Sequence, residues 1–335
     1  VHALREADPT PAAVLAGVVM RALAHCDVRP PGVVALAGTA DAGALAPAIF
    51  TLAAAGWSLR DGTGLAARLR KAKHDADLAS IRRAADGAMA AFRAIARRLA
   101  HASIDGDGSE SPGALRDADG FVRVGRLRRE VAACMLAAGL TQPEGNIIAP
   151  GDEGGVPHSV GDDDRVIRAG ESLVVDLFPR DRLFADCTRT FCVGPPPPAL
   201  QHAYATVRAA LEHAERSSRP GVRAWTLQQQ VCERFAADGY ATLLDDPHLT
   251  EGYVHGLGHG VGHALHELPS FRETASDDDG RLDVDDVITL EPGLYAPSAG
   301  YGVRIEDLYV MRDDGPANLT PLPRDLDPRR WIESP

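Results

Sequence analysis

The chain has 335 residues, 45% hydrophobic and 24% charged, which is material for about two domains of ~150 residues and a substantial apolar core. Its 35 Lys+Arg against 47 Asp+Glu give a net charge of −12, which excludes a general phosphate-backbone binder, because that function needs a basic face. The 33 Gly and 24 Pro mark a loop-rich chain, below the level of a disordered one.

Residues 11–25 read as a helix. The apolar run 12–20 inside it is the sole candidate for a targeting core, but Glu6 and Asp8 precede it and Arg21 breaks it, so an amphipathic helix is the reading. No run approaches the ~20 apolar residues of a membrane span. The chain begins at Val1 rather than at a methionine, which leaves room for sequence ahead of it. Residues 32–38 are a buried-strand pattern, and 42–56 a helix with Asp41 as N-cap, against which Pro47 counts. This small α/β piece ends near the basic stretch 68–73.

A long helix follows, with Leu78, Ile81, Met89, Phe92, Ile95 and Leu99 on one face. Residues 103–120 read as a surface loop, where Asp105 and Asp107 lack the glycine and terminal glutamate of a calcium loop. A helix is expected over 124–138, then strands at 173–178, 189–193, 287–290 and 303–311, with helices at 199–217 and 224–238. Pro195 to Pro198 form a stiff turn, and the acidic runs 162–164 and 277–279 read as solvated turns. Five cysteines (Cys26, Cys134, Cys187, Cys192, Cys232), odd in number and without a CxxC pair, indicate reduced thiols and a cytoplasmic location.

The second half carries the chemistry. Asp176 lies inside an apolar strand, and ten residues later Asp186 precedes another; a hairpin through residues 179–182 brings them side by side. Two buried carboxylates repel unless a cation or a proton sits between them, the alternative being that each pairs with an arginine such as Arg189. Next, His255, His259, His263 and His266 alternate with Gly256, Gly258, Gly260 and Gly262. The glycines exclude a helical metal site, the HExxH pattern fails at Ser270, and no Gly-Lys-Ser/Thr follows to cradle a phosphate. Glycine lets the backbone approach something closely while the histidines face one cavity. Glu291 and Glu306 each sit in an apolar, strand-like run, where singly either would be a core acid paired with an arginine. Together, four carboxylates and one imidazole approach the ligand set of two hard divalent cations; such a set suits Mn²⁺ and tolerates Co²⁺ or Zn²⁺.

From about residue 73 to 320 these ordered motifs resemble the pita-bread metallopeptidases, in their Xaa-Pro aminopeptidase and prolidase branch, with methionine aminopeptidase as a cousin. The resemblance implies an α+β fold: a pita-bread catalytic domain over 73–335 behind an abbreviated, creatinase-like α/β N-terminal domain over 1–72. It implies Asp176, Asp186, His259, Glu291 and Glu306 as metal ligands. Asp186 and Glu306 bridge the metals, Asp176 completes one site, and His259 with Glu291 completes the other. His158 matches the upstream substrate histidine, and His255 and His266 match those that hold substrate and the tetrahedral intermediate. Arg304 matches an arginine of the proline-specific branch.

The sequence departs from the pattern in two places. The first aspartates are one residue closer than is usual, and His263 replaces an aliphatic residue, reading as a wall residue or else a modifier of substrate choice. The N-terminal domain is normally nearly twice as long, which bears on dimer contacts and substrate length.

The implied function is a metallo-exopeptidase that hydrolyses the N-terminal Xaa-Pro bond by a metal-bridged hydroxide, Glu291 assisting proton transfer. The alternatives are a prolidase, another exopeptidase specificity, or a binding module that has lost catalysis. Arg304 weighs against a methionine-type enzyme, and the full ligand set against a metal-free amidinohydrolase. The partners implied are a peptide with proline at its second position and a second copy in a homodimer, with neither nucleic acid nor membrane.

Overall fold

The structure, a computed structural model, describes residues 10–38, 41–106, 111–274 and 276–333, and the chain divides into two compact units, Val1–Leu69 and Arg70–Pro335. Glu6, Asp8 and Asp107 lie outside the described residues. In the first unit, helix α1 (Pro11–His25) starts where Thr10 Oγ1 accepts the Ala13 N–H, with proline in the first turn, where its missing N–H leaves no bond unmade. Strand β1 (Gly32–Leu36) is followed by helix α2 (Ala42–Ala54), capped by Asp41, whose Oδ1 accepts the Gly43 N–H at 2.9 Å. The helix runs through Pro47. Strand β2 (Trp57–Asp61), absent from the sequence reading, pairs in parallel with β1, and helix α3 (Thr63–Lys71) follows. Ala16, Ala48, Leu52 and Trp57 are the unit's small core.

The second unit begins with α4 (Asp75–His101), whose six apolar positions named above are all buried. Asp75 and Asp77 at its start and Arg98 and His101 at its end complement the helix dipole. The segment expected as a loop instead forms a small antiparallel sheet of β3 (Ser103–Ile104), β4 (Leu115–Asp117) and β5 (Gly120–Phe121). Strands this short show no alternation; buried Leu115 and the Arg116 guanidinium, 4.1 Å over the Phe121 ring, hold them instead.

Then come α5 (Val124–Ala137), β6 (Asn146–Pro150), the single turn α6 (Gly151–Gly154), β7 (Leu173–Leu177) and β8 (Cys187–Phe191). Strands β6, β7 and β8 form an antiparallel sheet whose β7–β8 connection is the expected hairpin. Phe92, Leu127, Ile148, Val175 and Phe191 join it to α4 and α5 in one apolar core.

Helices α7 (Pro198–Ser217) and α8 (Ala224–Ala237) lead to β9 (His259–Gly260), β10 (Glu267–Ser270) and α9 (Asp277–Gly280), a helical turn where a solvated turn was expected. The remaining elements are β11 (Val287–Leu290), β12 (Gly293–Ala296), β13 (Tyr301–Arg304), β14 (Asp307–Arg312), β15 (Gly315–Asn318) and α10 (Arg329–Glu333). A second sheet runs β10-β9-β11-β14-β15, and β12–β13 is a separate hairpin. Leu211, Phe235, Ile288 and Tyr309 form the core under α7 and α8.

The single strand expected over 303–311 is two, broken at Ile305 and Glu306, because the chain there leaves the β12–β13 hairpin and joins β11. Glu291 and Pro292 make the reverse crossing from β11 to β12, and the Ile305 N–H reaches the Pro292 carbonyl at 3.4 Å.

Candidate metal centre and active site

The two crossings place the two glutamates. At each, the backbone exchanges one sheet's ladder for another's, so a side chain projects between the sheets. The Glu306 N–H bonds the Thr188 carbonyl of β8 at 3.0 Å, and the Glu291 N–H bonds the Leu257 carbonyl at 2.7 Å. On the other side, Asp176 in β7 stands opposite Thr188, and Asp186 lies one residue before β8. The glycine-rich segment supplies the histidines as expected, in irregular backbone around β9. Its glycines meet protein: a Cβ at Gly258 would collide with the Thr289 carbonyl, and one at Gly260 with that of Leu268.

Ligand atoms of Asp186, His259 and Glu306 all lie within 4.8 Å of one another. His259 Nε2 is 3.3 Å from Glu291 Oε1 and 3.6 Å from Asp186 Oδ2, while its Nδ1 faces the Gly260 carbonyl at 3.1 Å. That carbonyl accepts only from an Nδ1–H, so in the neutral ring Nε2 carries the lone pair. Burial pushes the His259 pKa down to about 3, so no proton sits there near neutral pH. An unprotonated Nε2 within 3.3 and 3.6 Å of two carboxylate oxygens is a donor set that a cation would fit.

Three oxygens agree with this: Asp176 Oδ1, Asp186 Oδ1 and Glu306 Oε1 are buried and have no hydrogen-bond partner among the described residues. Burial first, and then the neighbouring carboxylates, hold the Asp186 and Glu306 pKa values well above the usual range; burial likewise lifts Glu291 to about 8. The carboxylate–imidazole donor set fits hard or borderline divalent cations.

Arg304 organises the other edge. Its Nη2 is 2.6 Å from Asp176 Oδ2, its Nη1 2.6 Å from the Tyr295 hydroxyl, and its Nε 3.1 Å from Thr188 Oγ1. Thr188 Oγ1 in turn donates to Glu306 Oε2 at 2.7 Å. The arginine pairing considered for the aspartates therefore holds for Asp176, with Arg304 rather than Arg189; Arg189 is fully buried against Asp307 at 2.6 Å. Register explains this: Arg189 lies next to Thr188 on β8, so its side chain points to the opposite face of the sheet from Asp176's neighbours.

The histidines divide. His255 Nε2 is 2.9 Å from the Tyr295 hydroxyl and Nδ1 is 2.7 Å from the Gly256 carbonyl, so both ring nitrogens are engaged. Its Nδ1 also lies 3.9 Å from Glu291 Oε2. His266 is exposed and stacks at a tilt on His259, ring centroids 4.2 Å apart, with no hydrogen-bond partner among the described residues. His158 is exposed; burial is the main influence that pushes the His255 pKa down to about 3 and lowers that of His266. His263 is exposed too. Thr188 and Tyr295 went unrecognised in the sequence. Tyr295 stood in a run already singled out, but its bonds to His255 and Arg304 depend on the pairing of β12 with β13.

A buried site of this composition, on this fold, defines a metal-dependent hydrolase class. The description of metallopeptidase family M24 matches residues 79–313. The chain belongs to that family. It is 35% identical over 208 residues to an Xaa-Pro dipeptidase of Pyrococcus furiosus, covering 60% of this chain and 56% of that one. The chain thus spans a little over half the length of the curated relatives it matches. Among solved structures, an Xaa-Pro dipeptidase from Bacillus anthracis superposes with a TM-score of 0.72 at 23% identity, over 93% of this chain and 78% of that one. A prolidase from Pyrococcus furiosus gives 0.68 at 26% identity, over 88% and 77%. The fold is the α+β pita-bread fold of these enzymes. No described helix is long and apolar enough to cross a membrane.

Proposed function

We propose that this chain is a divalent-metal-dependent exopeptidase that hydrolyses the bond between a residue and a following proline, with Xaa-Pro dipeptides as its substrates. The observation that carries the reading is the cluster of Asp186, His259 and Glu306 ligand atoms together with the buried, orphaned oxygens of Asp176, Asp186 and Glu306. The first reading of the sequence is release of the N-terminal residue from Xaa-Pro peptides, with the prolidase as its alternative. The dipeptide is preferred because the Pyrococcus relatives are named Xaa-Pro dipeptidases.

In this reading Asp176, Asp186, His259, Glu291 and Glu306 hold two divalent cations, with Mn²⁺ the proposed occupant and Co²⁺ or Zn²⁺ as substitutes. When bound, such cations activate water near neutral pH and polarise a carbonyl. Glu291 receives the proton of the attacking water and returns it to the proline nitrogen. His266, whose ring nitrogens are free, donates to the oxygen on which charge develops. His255, bonded to Tyr295 and 3.9 Å from Glu291, lines the substrate side of the site. His158 at the rim binds the proline carbonyl or its leaving nitrogen. Arg304 orients Asp176. A tertiary Xaa-Pro amide has no N–H to bind, so a site that recognises the ring and carbonyls is required. The five cysteines are all unpaired, which supports a reducing, cytoplasmic setting.

The test is to incubate Mn²⁺-loaded protein with an Xaa-Pro dipeptide, a longer Xaa-Pro-initiated peptide and a Met-Ala control. Cleavage of the dipeptide is the expected result. Cleavage of the longer peptide as well would make it an aminopeptidase, and failure on both would end the proline reading.

A further inference from the structure

Two charged groups beside the site have no part in the reading so far: the basic stretch ahead of α4 and the glutamate that follows His266. The Lys73 side chain is completely covered, and its Nζ lies 2.9 Å from Glu267 Oε1 and 2.5 Å from the Lys71 carbonyl. The approach to Oε1 is ionic, without the alignment of a hydrogen bond. The other carboxylate oxygen of Glu267 accepts the Ala264 N–H at 3.1 Å. Glu267 therefore closes the turn 264–267, which carries His266, and then opens β10 opposite Gly260 of β9. The lysine is itself anchored: its N–H bonds the Asp285 carbonyl at 3.0 Å, Ala72 bridges Asp286, and Lys71 Nζ meets Asp283 and Asp286.

Gly262 fits this arrangement. A Cβ there would stand 2.7 Å from Glu267 Oε1 and closer still to Lys73 Cε, so the missing side chain leaves space for the ion pair. A buried Lys–Glu pair is a poor way to gain stability, since an apolar pair of similar volume usually does as well or better. Its placement gives it another use. On the reading that His266 faces the substrate, we infer that Lys73 and Glu267 are positioning residues that fix His266 over His259. The pair ties the His266 turn to the anchored segment ahead of α4, so that the exposed ring keeps one orientation.

The experiment compares wild type with the double substitution Lys73→Met, Glu267→Leu, which leaves neither charge unpaired. Glu267→Gln, which keeps the volume and the bond to Ala264, serves as the second variant should the double fail to fold. The readouts are the melting temperature, kcat per metal-loaded site with KM, and the His266 ring NMR signals of the metal-free protein. The double variant is expected to melt near wild type and to load metal. Its kcat should fall on the order of 10²-fold with KM little changed, the size of loss that follows a misplacement of about 1 Å. The His266 signals should shift and broaden. Gly262→Ala, which displaces the pair without removing a charge, should reproduce both effects. Wild-type kcat per loaded site, or unmoved His266 signals, would overturn the inference. A wild type that cuts no Xaa-Pro peptide would sink the functional reading instead, and the His266 signals would still decide the positioning role.

Discussion

Replacing Thr188 by valine tests how far the metal centre depends on its supports. The side chain is fully buried, and its hydroxyl makes two contacts: it accepts Arg304 Nε–H at 3.1 Å and donates to Glu306 Oε2 at 2.7 Å. Valine keeps the shape and removes both. Glu306 Oε1 is already without a hydrogen bond among the described residues, so its carboxylate would lose the donor that favours its charged form. A hydrogen bond to a charged group contributes about 1.5–3 kcal/mol, and one pKa unit corresponds to ~1.4 kcal/mol. The Glu306 pKa, already held high by burial, should rise further, and a cation must displace that proton. The expected result is a loss of about 10–100-fold in metal affinity at neutral pH, measured by competition with a chelating dye. Thr190→Val is the control, since Thr190 bonds only the Arg304 backbone, at 2.9 and 3.0 Å. It should lower the melting temperature and leave affinity close to wild type. Equal affinity in Thr188→Val and wild type would refute the reasoning.

Three further outcomes follow from the same geometry. Asp186→Ala should abolish metal loading and turnover together; a variant that stays loaded and active would contradict the ligand assignment. Arg304→Met should destabilise the fold by about 3–5 kcal/mol in chemical denaturation, because it leaves Asp176 buried without its partner, and a loss under ~1 kcal/mol would argue against the pairing. The metal-free protein should also respond to pH. Glu291, lifted by burial to about 8 from 4.5, contributes stability that is complete below pH 4.5 and is lost as pH rises through 8. His255 and His259, lowered by burial to about 3 from 6.5, contribute stability that is present above pH 6.5 and is lost as pH falls through 3. Between pH 6.5 and 8 only the carboxylate side still titrates, so the melting temperature in chelator should fall and excess divalent cation should restore it. A flat profile across that window would count against the buried acid cluster.

What could be read in the chain was whatever repeats at a local period. The face of Leu78, Ile81, Met89, Phe92, Ile95 and Leu99 marked α4, and the apolar run 287–290 marked β11 to the residue. The acids stood out because each interrupts an apolar strand, and the histidines because glycines surround them. What depended on register stayed hidden. Thr188 is an ordinary strand threonine until β8 pairs with β7 on one side and touches Glu306 on the other. Arg304 and Arg189 both sit near acids in sequence, and only the pairing of strands decides that the first faces Asp176 and the second Asp307. The run 303–311 looks continuous because Ile305 is apolar, but the chain changes sheets there. Lys73 resembles the other basic residues of its stretch, and nothing local reveals that it is covered.

The crossing at Glu306 also has a consequence for synthesis. Asp176 and Asp186 lie on a hairpin completed before residue 192, whereas Glu291 and Glu306 arrive more than a hundred residues later and must meet it. A ribosome-bound chain truncated ahead of Glu291 can hold its first apolar core partly formed yet present only half of the acids. The candidate cation site would therefore be complete only once Glu306 has emerged and met the hairpin, so metal uptake would report that the two parts of the fold have joined.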